Sequence, residues 1–221
     1  QIELRILAHI ADIPALKQAF AEGIDIHAMT ASQMFGVPVE GMDPMIRRQA
    51  KAINFGVIYG ISGFGLARNL RIPRAEAQAF IDTYFERFPE IRAYMDATTR
   101  QAKAQGFVRT LFGRRIHTPG ISSSGPAAAG ARRAAINAPI QGTAADLMKL
   151  AMLATDQGLA EHGLRSRVLL QIHDELVLEV APREEQRVRE VVTDAMGGAM
   201  DLAVPLTVAI GVGRSWFDAA H

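Results

Sequence analysis

The chain has 221 residues, of which 49% are hydrophobic and 21% are charged, and this composition excludes a disordered or collagen-like protein. Its net charge of +1 neither favours nor excludes nucleic acid as a partner, because nucleic-acid binding depends on where charge clusters. Cysteine is absent, which excludes disulfides and thiolate metal sites and favours a cytoplasmic location. The chain also lacks the run of about 18 apolar residues that would predict a membrane span.

The first third of the chain is predicted to be helical. Apolar residues at helical spacing predict helices over 3–11 and 14–21, and a loop with one helix follows over 22–42. The Asp-Pro pair at 43–44 is a strong helix start, and glycines from Gly60 onward end that helix. The chain begins inside an amphipathic pattern without an initiator Met, so we expect it to be a piece of a longer protein.

The middle third is predicted to contain two long helices, each interrupted by a proline, with a hairpin and a loop between them. In chain order these are a helix over 74–105 that is broken or bent at Pro89, a small hairpin over 107–118, a loop over 120–130, and a helix over 131–158 that is interrupted near Pro139. This part of the chain is therefore almost entirely helical.

The last third differs because its apolar residues alternate. This pattern predicts a hairpin with strands over 167–173 and 176–180, a charged amphipathic helix over 183–198, and another strand over 204–212. Strands cluster near the C-terminal end while the middle is nearly all helix. The sequence therefore predicts an α+β fold, mainly helical, in which a helical subdomain is inserted into a platform that contains a sheet.

Four residues spaced by four share one face of the helix that begins after position 43. They are Arg47, Lys51, Phe55 and Tyr59. Two cations followed by two aromatic rings fit a ligand with a polyphosphate at one end and a flat base at the other. A solvated basic turn followed by aromatic core residues would show the same spacing, so the stripe alone leaves both interpretations open.

A second stripe comprises Arg133, Asn137 and Gln141, again spaced by four. Side chains of these types can read base edges or groove acceptors, so the stripe could lie along a nucleic-acid duplex. The alternative is a polar stripe that simply faces solvent.

The C-terminal hairpin carries two adjacent acids, Asp174 and Glu175, at its tip. Acids held on a rigid turn are well placed to bind hard divalent cations, although turn acids often only favour the turn. Phosphoryl transfer with two metals requires a second acid about 4 Å across the metal pair, and no predicted strand supplies one. The acidic turn and the two stripes form one consistent set that could serve a metal, a nucleotide and a duplex.

Five segments resemble sequence motifs of the family A DNA polymerases. They are QIELR at 1–5, RRQAKAINFGVIYG at 47–60, INAPIQGTAAD at 136–146, QIHDELVLEV at 171–180 and GVGRSWFDAAH at 211–221. The resemblance covers essentially the whole chain. It implies a right-hand polymerase fold, with helical fingers over 22–145 inserted into an antiparallel-sheet palm over 1–21 and 146–221.

The resemblance also implies a DNA-directed DNA polymerase, a nucleotidyltransferase that extends a primer 3′ end in replication and repair. Its cofactors would be two Mg²⁺ ions, and its partners would be primer-template DNA and deoxynucleoside triphosphates. Asp174 would bind both ions, with Glu175 as an auxiliary acid nearby. Arg47, Lys51 and His27 would hold the triphosphate, and Lys51 could also donate a proton to the leaving pyrophosphate.

The remaining implied roles concern the nascent base pair and the duplex. Phe55 would pack on the sugar and base, and a Phe here usually accompanies rejection of dideoxynucleotides. Tyr59 would guard the template side of the pair, and Glu3 would stand where a ribose 2′-hydroxyl would intrude. The duplex contacts would come from Arg133, Asn137 and Gln141, and the primer-end contacts from Gln171 and His173.

Two departures from the family pattern qualify this reading. The other metal-bridging Asp would lie just upstream of Gln1, so we expect these 221 residues alone to be inactive. We also expect the protein to be a monomer. The segment 122–131 is poor in Arg and Arg132 stands where an acid is common, which affects only local duplex contacts. Two alternatives stay open, namely a noncatalytic DNA-binding module derived from this fold and a phage or specialised repair polymerase of the same family.

Overall fold

Residues 2–219 form ten helices and two antiparallel sheets of two strands each in the computed structural model, which describes these residues apart from the side chain of Pro126. The helices are α1 (Ile2–Ile10), α2 (Pro14–Ala21), α3 (Ile26–Phe35), α4 (Pro44–Ile58), α5 (Gly63–Leu70), α6 (Arg74–Arg87), α7 (Pro89–Gln105), α8 (Gly125–Glu161), α9 (Glu185–Gly197) and α10 (Trp216–Ala219). The strands are β1 (Phe107–Arg109), β2 (Arg115–His117), β3 (Arg167–Ile172) and β4 (Glu175–Glu179). None of the described helices is both long and apolar enough to cross a membrane.

Side-chain caps begin α4, which carries the stripe of two cations and two aromatic rings, and α3, which carries His27. Asp43 accepts a hydrogen bond from the Met45 N–H at 2.8 Å, and Pro44 occupies the first turn, so α4 starts where the sequence predicts. Asp25 caps α3 in the same way, accepting from the His27 N–H at 3.0 Å. Both helices therefore start at positions set by an acid.

The main core lies where the N-terminal helices meet the middle of α8. Its largest fully buried side chains include Leu4 of α1, Ile53 of α4, Tyr84 of α6 and Ile140 of α8. Burial of an apolar side chain of this size contributes about 1.5–3 kcal/mol. Because α1, α4 and α8 also carry candidate site residues, this core fixes their relative positions.

Two smaller apolar clusters attach the sheets to α8. Ala102, Val108 and Ala135 hold the β1–β2 hairpin between α7 and α8. Leu159 near the end of α8 packs on Val191 of α9, and the β3–β4 hairpin packs against this second cluster. Helix α8 therefore contacts both α1 and β3, two of the elements that surround the candidate site.

The prolines of the two long predicted helices behave differently. Pro89 separates α6 from α7 as predicted. The predicted interruption of the helix over 131–158 is wrong, since α8 runs without a break for 37 residues. Pro139 is buried among Ile136 and Ile140, and Tyr94 Oη donates a hydrogen bond to the Ile136 carbonyl at 2.8 Å. Packing on both sides of the proline offsets the hydrogen bond to the Ala135 carbonyl that its missing N–H cannot make, and Tyr94 holds the next carbonyl along the helix.

The prediction for one glycine-rich segment is wrong, because the loop over 120–130 is shorter than predicted and α8 begins at Gly125. The glycines from Gly60 onward do end α4 as predicted, and the segment over 60–65 also starts the additional helix α5. Ser62 Oγ accepts a hydrogen bond from the Gly65 N–H at 3.2 Å and so caps this additional helix.

The strand predicted over 204–212 is absent, since this segment pairs with no strand in the described part of the chain. It lies against α1 instead. The Pro205 carbonyl accepts a hydrogen bond from the Arg5 guanidinium, and His9 Nδ1 accepts one from the Ala203 N–H at 3.0 Å. Val208 and Ile210 of this segment pack on the cluster between α8 and α9, where they are partly buried without sheet hydrogen bonds.

Strands β3 and β4 form the predicted C-terminal hairpin, with a register irregularity between Val168 and Leu170. Ile172 pairs with Glu175, so the turn consists of the two residues before Glu175. The predicted tip at Asp174 and Glu175 is therefore one residue too late. Asp174 lies in the turn, whereas Glu175 is the first residue of β4.

Candidate functional site

A cleft with a volume of about 310 Å³ lies between α1, α4, α8 and the β3–β4 hairpin. Candidate residues from all four elements line it. They are Glu3 of α1, Phe55 of α4, Gln141 of α8, and Gln171, His173 and Asp174 of the hairpin. The fold thus brings together side chains from widely separated motifs, as the sequence predictions require.

Two carboxylates of this cleft, Glu3 and Asp174, are close enough to influence each other. Partial burial raises the pKa of Glu3, and the negative charge of Asp174 raises it further. Glu3 lies in the first turn of α1, where the helix dipole favours an acid, and buried Leu4 and Leu7 anchor that helix in the core. This end of the cleft is therefore negative and favours a cation.

The hairpin turn is held by local contacts that place Asp174 at the cleft. His173 adopts a φ of +53°, which is uncommon for a residue other than glycine. Gln171 Nε2 donates a hydrogen bond to the His173 carbonyl at 2.7 Å. Asp174 is exposed at the cleft, whereas Glu175 belongs to β4 and is not one of the lining residues.

A second group of candidate residues lies at the start of α4. Arg47 Nε donates a hydrogen bond to Asp25 Oδ2 at 2.6 Å, between two partly exposed side chains. Partial burial alone would raise the pKa of Asp25, but hydrogen bonds from Arg47 and the Ala28 N–H lower it overall. Burial lowers the pKa of His27. The negative charge of Asp25 raises this pKa, whereas the cations Arg47 and Lys51 lower it further. Burial and the two neighbouring cations thus favour the neutral imidazole of His27.

The two rings of the α4 stripe connect the cation group with the cleft. The Phe55 ring lies 5.5 Å from the His27 ring at a tilt of 50°, and 6.3 Å from the Tyr59 ring at only 16°. Both Phe55 and Tyr59 are partly exposed. They offer a flat apolar surface to a ligand, which favours the nucleotide interpretation of the stripe over a purely internal aromatic core.

Phe55 also lines a second groove, with a volume of about 550 Å³, together with Tyr59 and Arg133. Arg133 reaches this groove by passing close to the backbone at the end of α4. A Cβ at Gly60 would lie 3.2 Å from Arg133 Cγ, and Gly60 has a φ of +72°. A glycine is favoured there both by the close approach and by the left-handed backbone.

The polar stripe of α8 runs from this groove to the cleft. Arg133 lines the groove and Gln141 lines the cleft. Asn137 lies between them, partly buried, and its Oδ1 is buried without a hydrogen-bond partner among residues 2–219. The stripe is therefore buried in part at Asn137 and does not simply face solvent.

The described residues provide only part of a metal site. No three His, Cys, Asp or Glu side chains within residues 2–219 are grouped so that they could hold a metal ion. Asp174 presents a carboxylate at the cleft, and oxygen donors are the ligands that Mg²⁺ prefers. The donor set therefore fits one side of a Mg²⁺ site and requires a further acid.

Two contacts of this region have no counterpart among the sequence predictions. One is the ion pair between Asp25 and Arg47. The other involves Asn54, which is buried on α4 with its Nδ2 3.0 Å from His27 Nδ1. A buried asparagine within the apolar face of a helix is an available sequence signal, because such a group must find a hydrogen-bond partner.

Comparisons with known proteins identify the family of this chain. The chain matches the family model for DNA polymerase family A over residues 1–218. It is 54% identical to the DNA polymerase I of Rhizobium leguminosarum over the whole chain, which covers 22% of that relative. It is 49% identical to the thermostable DNA polymerase I of Thermus aquaticus over 99% of the chain and 26% of the relative. The chain therefore belongs to DNA polymerase family A.

A solved structure shares the fold along the entire chain. It is the POL domain of Pol1 from M. smegmatis in complex with DNA primer-template and dNTP, with a TM-score of 0.96 and 45% identity over 100% of this chain and 39% of that chain. This likeness confirms the predicted α+β, mainly helical polymerase fold. The chain spans about a quarter of the length of the curated relatives that it matches.

Proposed function

We propose that the chain supplies the fingers and most of the palm of a DNA-directed DNA polymerase, with the palm over 1–21 and 146–221 and the fingers over 22–145. The observation that carries this proposal is the cleft in which α1, α4, α8 and the β3–β4 hairpin bring candidate residues together. Membership of DNA polymerase family A supports it. The complex of the solved relative with DNA primer-template and dNTP supports the same two partners for this chain.

The incoming deoxynucleoside triphosphate binds along the α4 stripe. Arg47 and Lys51 hold the phosphate oxygens through charge-assisted hydrogen bonds, with His27 beside them. Phe55 packs on the sugar and base, and Tyr59 borders the template side of the new pair. The order of cations and then rings along α4 matches the order of phosphates, sugar and base in the ligand.

The primer-template duplex lies along α8 and reaches the hairpin. The duplex contacts come from Arg133, Asn137 and Gln141, and the primer-end contacts from Gln171 and His173. Side-chain amides and guanidinium groups are suited to groove acceptors and to phosphates. Glu3 stands where the 2′-hydroxyl of a ribonucleotide would intrude, so the site favours deoxynucleotides.

The reaction joins the primer to the α-phosphate of the nucleotide. The primer 3′-hydroxyl loses its proton to solvent, its oxygen bonds to the α-phosphorus, and the bond from that phosphorus to the bridging oxygen breaks to release pyrophosphate. Lys51 donates a proton to the leaving pyrophosphate. Asp174, with Glu175 as an auxiliary acid, would hold Mg²⁺, which when bound offsets the negative charge on the reacting phosphates.

Primer extension tests the proposal directly. The chain is extended at its N-terminus to the length of the solved polymerase domain and compared with an Asp174→Ala variant in Mg²⁺ and four deoxynucleotides. Glu179→Ala is the matched control, because Glu179 is an exposed acid of the same hairpin whose partner is Arg167, at 2.8 Å. The wild type and the control should extend the primer, and Asp174→Ala should lose at least about 100-fold in rate.

The second candidate is a noncatalytic DNA-binding module. It is favoured by the α8 stripe, whose exposed Arg133 and Gln141 could bind a duplex without a metal. If the wild type and Asp174→Ala both bind primer-template DNA with the same Kd and neither extends it, the noncatalytic module is the correct account and the polymerase proposal fails.

A further inference from the structure

Asn54 is a buried polar residue to which the proposed reaction assigns no role. It lies on α4 between Lys51 and Phe55, and only 1% of it is exposed. Its Nδ2 atom is 3.0 Å from His27 Nδ1 and 3.1 Å from Thr30 Oγ1, so one amide group contacts two side chains of α3. Burial of an amide is costly unless its hydrogen bonds are made, which is the case here.

The direction of each hydrogen bond follows from Thr30. Its Oγ1 is 2.8 Å from the Ile26 carbonyl oxygen, which can only accept, so the single hydroxyl proton of Thr30 is donated there. Thr30 Oγ1 is therefore the acceptor for one N–H of Asn54. The second N–H of Asn54 is directed at His27 Nδ1, which must accept.

Because Nδ1 accepts from Asn54 it carries no proton, so His27 is neutral and has one ring proton. It is 4% exposed, and the charged groups that face it are Asp25 at the start of α3 and Arg47 and Lys51 of α4. Since Nδ1 accepts from Asn54, the ring proton is on Nε2. Among residues 2–219, Nε2 has no hydrogen-bond partner, so its N–H is available to a ligand.

We propose that Asn54 is a positioning residue that holds His27 as its Nε2–H tautomer, so that His27 serves the triphosphate as a neutral hydrogen-bond donor. This inference rests on the proposed polymerase function only for the identity of the ligand. Asn54 fixes both the tautomer and the rotation of the ring, since rotating the ring would leave one of the two N–H groups of the Asn54 amide unpaired. In the opposite tautomer the lone pair of Nε2 would face a phosphate oxygen and repel it.

The tautomer is measurable without DNA or nucleotide. The extended polymerase is labelled with nitrogen-15 at histidine, and the His27 signals are assigned by their loss in His27→Gln. At pH 8, NMR should show a proton on Nε2 and none on Nδ1 of His27. A proton on Nδ1 would overturn the inference whatever the protein does with DNA.

An Asn54→Asp variant tests the consequence for the triphosphate. The carboxylate has the shape of the amide but only accepts hydrogen bonds, so His27 Nδ1 becomes the donor. At pH 8.5, KM for deoxynucleotides should rise about tenfold with kcat little changed, because one hydrogen bond to a charged phosphate is lost. KM should recover as the pH falls and the imidazole gains a second proton, whereas the KM of the wild type should lack this dependence on pH.

The His27→Gln background separates positioning from a general loss of structure. If Asn54 acts through His27, adding Asn54→Asp to His27→Gln should produce neither a further rise in KM nor the recovery at low pH. A rise in KM that is the same at every pH, or that persists in the His27→Gln background, would mean that Asn54 has a structural role only. If the wild type fails to extend a primer, the proposed function fails, and the NMR result still decides the tautomer.

Discussion

Arg47 and Asp25 are joined by a hydrogen bond of 2.6 Å between the Nε of the arginine and the Oδ2 of the acid. The other oxygen of Asp25 accepts from the N–H groups of His27 and Ala28 and so caps α3. One carboxylate therefore ties the start of α3 to the start of α4. The position of a cation that we propose binds the triphosphate thus depends on a helix cap.

Substitution of Asp25 should separate the cap from the ion pair. Asp25→Ala removes both and should lower the free energy of unfolding by about 1 kcal/mol, the usual effect of a lost N-cap. Asp25→Asn keeps an acceptor for the cap, and because the pair with Arg47 is partly exposed its loss should cost at most about 0.5 kcal/mol. Denaturant unfolding at pH 7 measures both values. Equal losses in the two variants would show that the ion pair, not the cap, stabilises this junction.

Lys51→Ala should slow nucleotide addition far more than it weakens DNA binding, because the proposed partner of Lys51 is the triphosphate. Loss of a general acid typically reduces the rate by about 10²–10⁴-fold. Single-turnover extension gives the rate and a titration with primer-template DNA gives Kd. Arg48→Ala is the control, since Arg48 is an exposed cation of α4 that does not belong to the stripe. An equal loss of DNA affinity in Lys51→Ala would contradict the assigned role.

Phe55→Tyr should raise the incorporation of dideoxynucleotides relative to deoxynucleotides. The family resemblance associates Phe at this position with their rejection, and in the structure Phe55 lines the cleft where the sugar would lie. The measurement is the ratio of kcat/KM for the two nucleotides in the extended polymerase. Phe64→Tyr is the control, because Phe64 is an exposed ring of α5 away from the cleft. Unchanged discrimination in Phe55→Tyr would mean that the stripe is misassigned.

Glu184 makes the stability of the hairpin region sensitive to acid. Its carboxylate accepts hydrogen bonds from Ser166 Oγ at 2.7 Å and from the N–H groups of Ser166 and Arg165, which ties the start of β3 to the start of α9. The bond from Ser166 Oγ, followed by that from the Arg165 N–H, lowers the pKa of Glu184 below its ordinary value of 4.5. The folded protein therefore binds this proton less readily than the unfolded chain does.

The contribution of Glu184 should be complete above about pH 5 and should decrease as the pH falls below about 4.5 through the folded-state pKa. Glu184→Gln should lower the free energy of unfolding at neutral pH and flatten its decrease in acid. Unfolding curves at several pH values between about 3 and 7 measure both effects. Glu185→Gln, a change at the exposed acid next along the chain, should keep the slope of the wild type. Identical slopes for the wild type and Glu184→Gln would contradict the prediction.

Features with a local cause could be predicted from the sequence. The start of α4 follows from an acid and a proline at 43–44, and the β3–β4 hairpin follows from alternation over a few residues. The continuity of α8 could not be predicted, because it depends on packing around Pro139 and on a donor from Tyr94 in another helix. The absent strand over 204–212 has the same explanation, since its alternation serves packing against helices.

The candidate site divides in the same way. Spacing of four residues places Phe55 and Tyr59 on one face, and the structure shows both rings beside the cleft and groove. The contacts that arrange the neighbouring groups join different helices, as Asn54 does with His27 and Asp25 with Arg47. No periodicity along a single segment can reveal such pairs.

Because α8 continues through Pro139 without a break, the two ends of its polar stripe are held at a fixed distance. Arg133 and Gln141 are eight residues apart on one helix, which at about 1.5 Å per residue is about 12 Å. A duplex rises about 3.4 Å per base pair, so this length corresponds to three or four base steps. A hinge at the proline would have let the two ends of the stripe move independently. A continuous helix instead keeps the spacing of these side chains constant. A duplex lying along it would therefore be contacted over the same number of base steps each time.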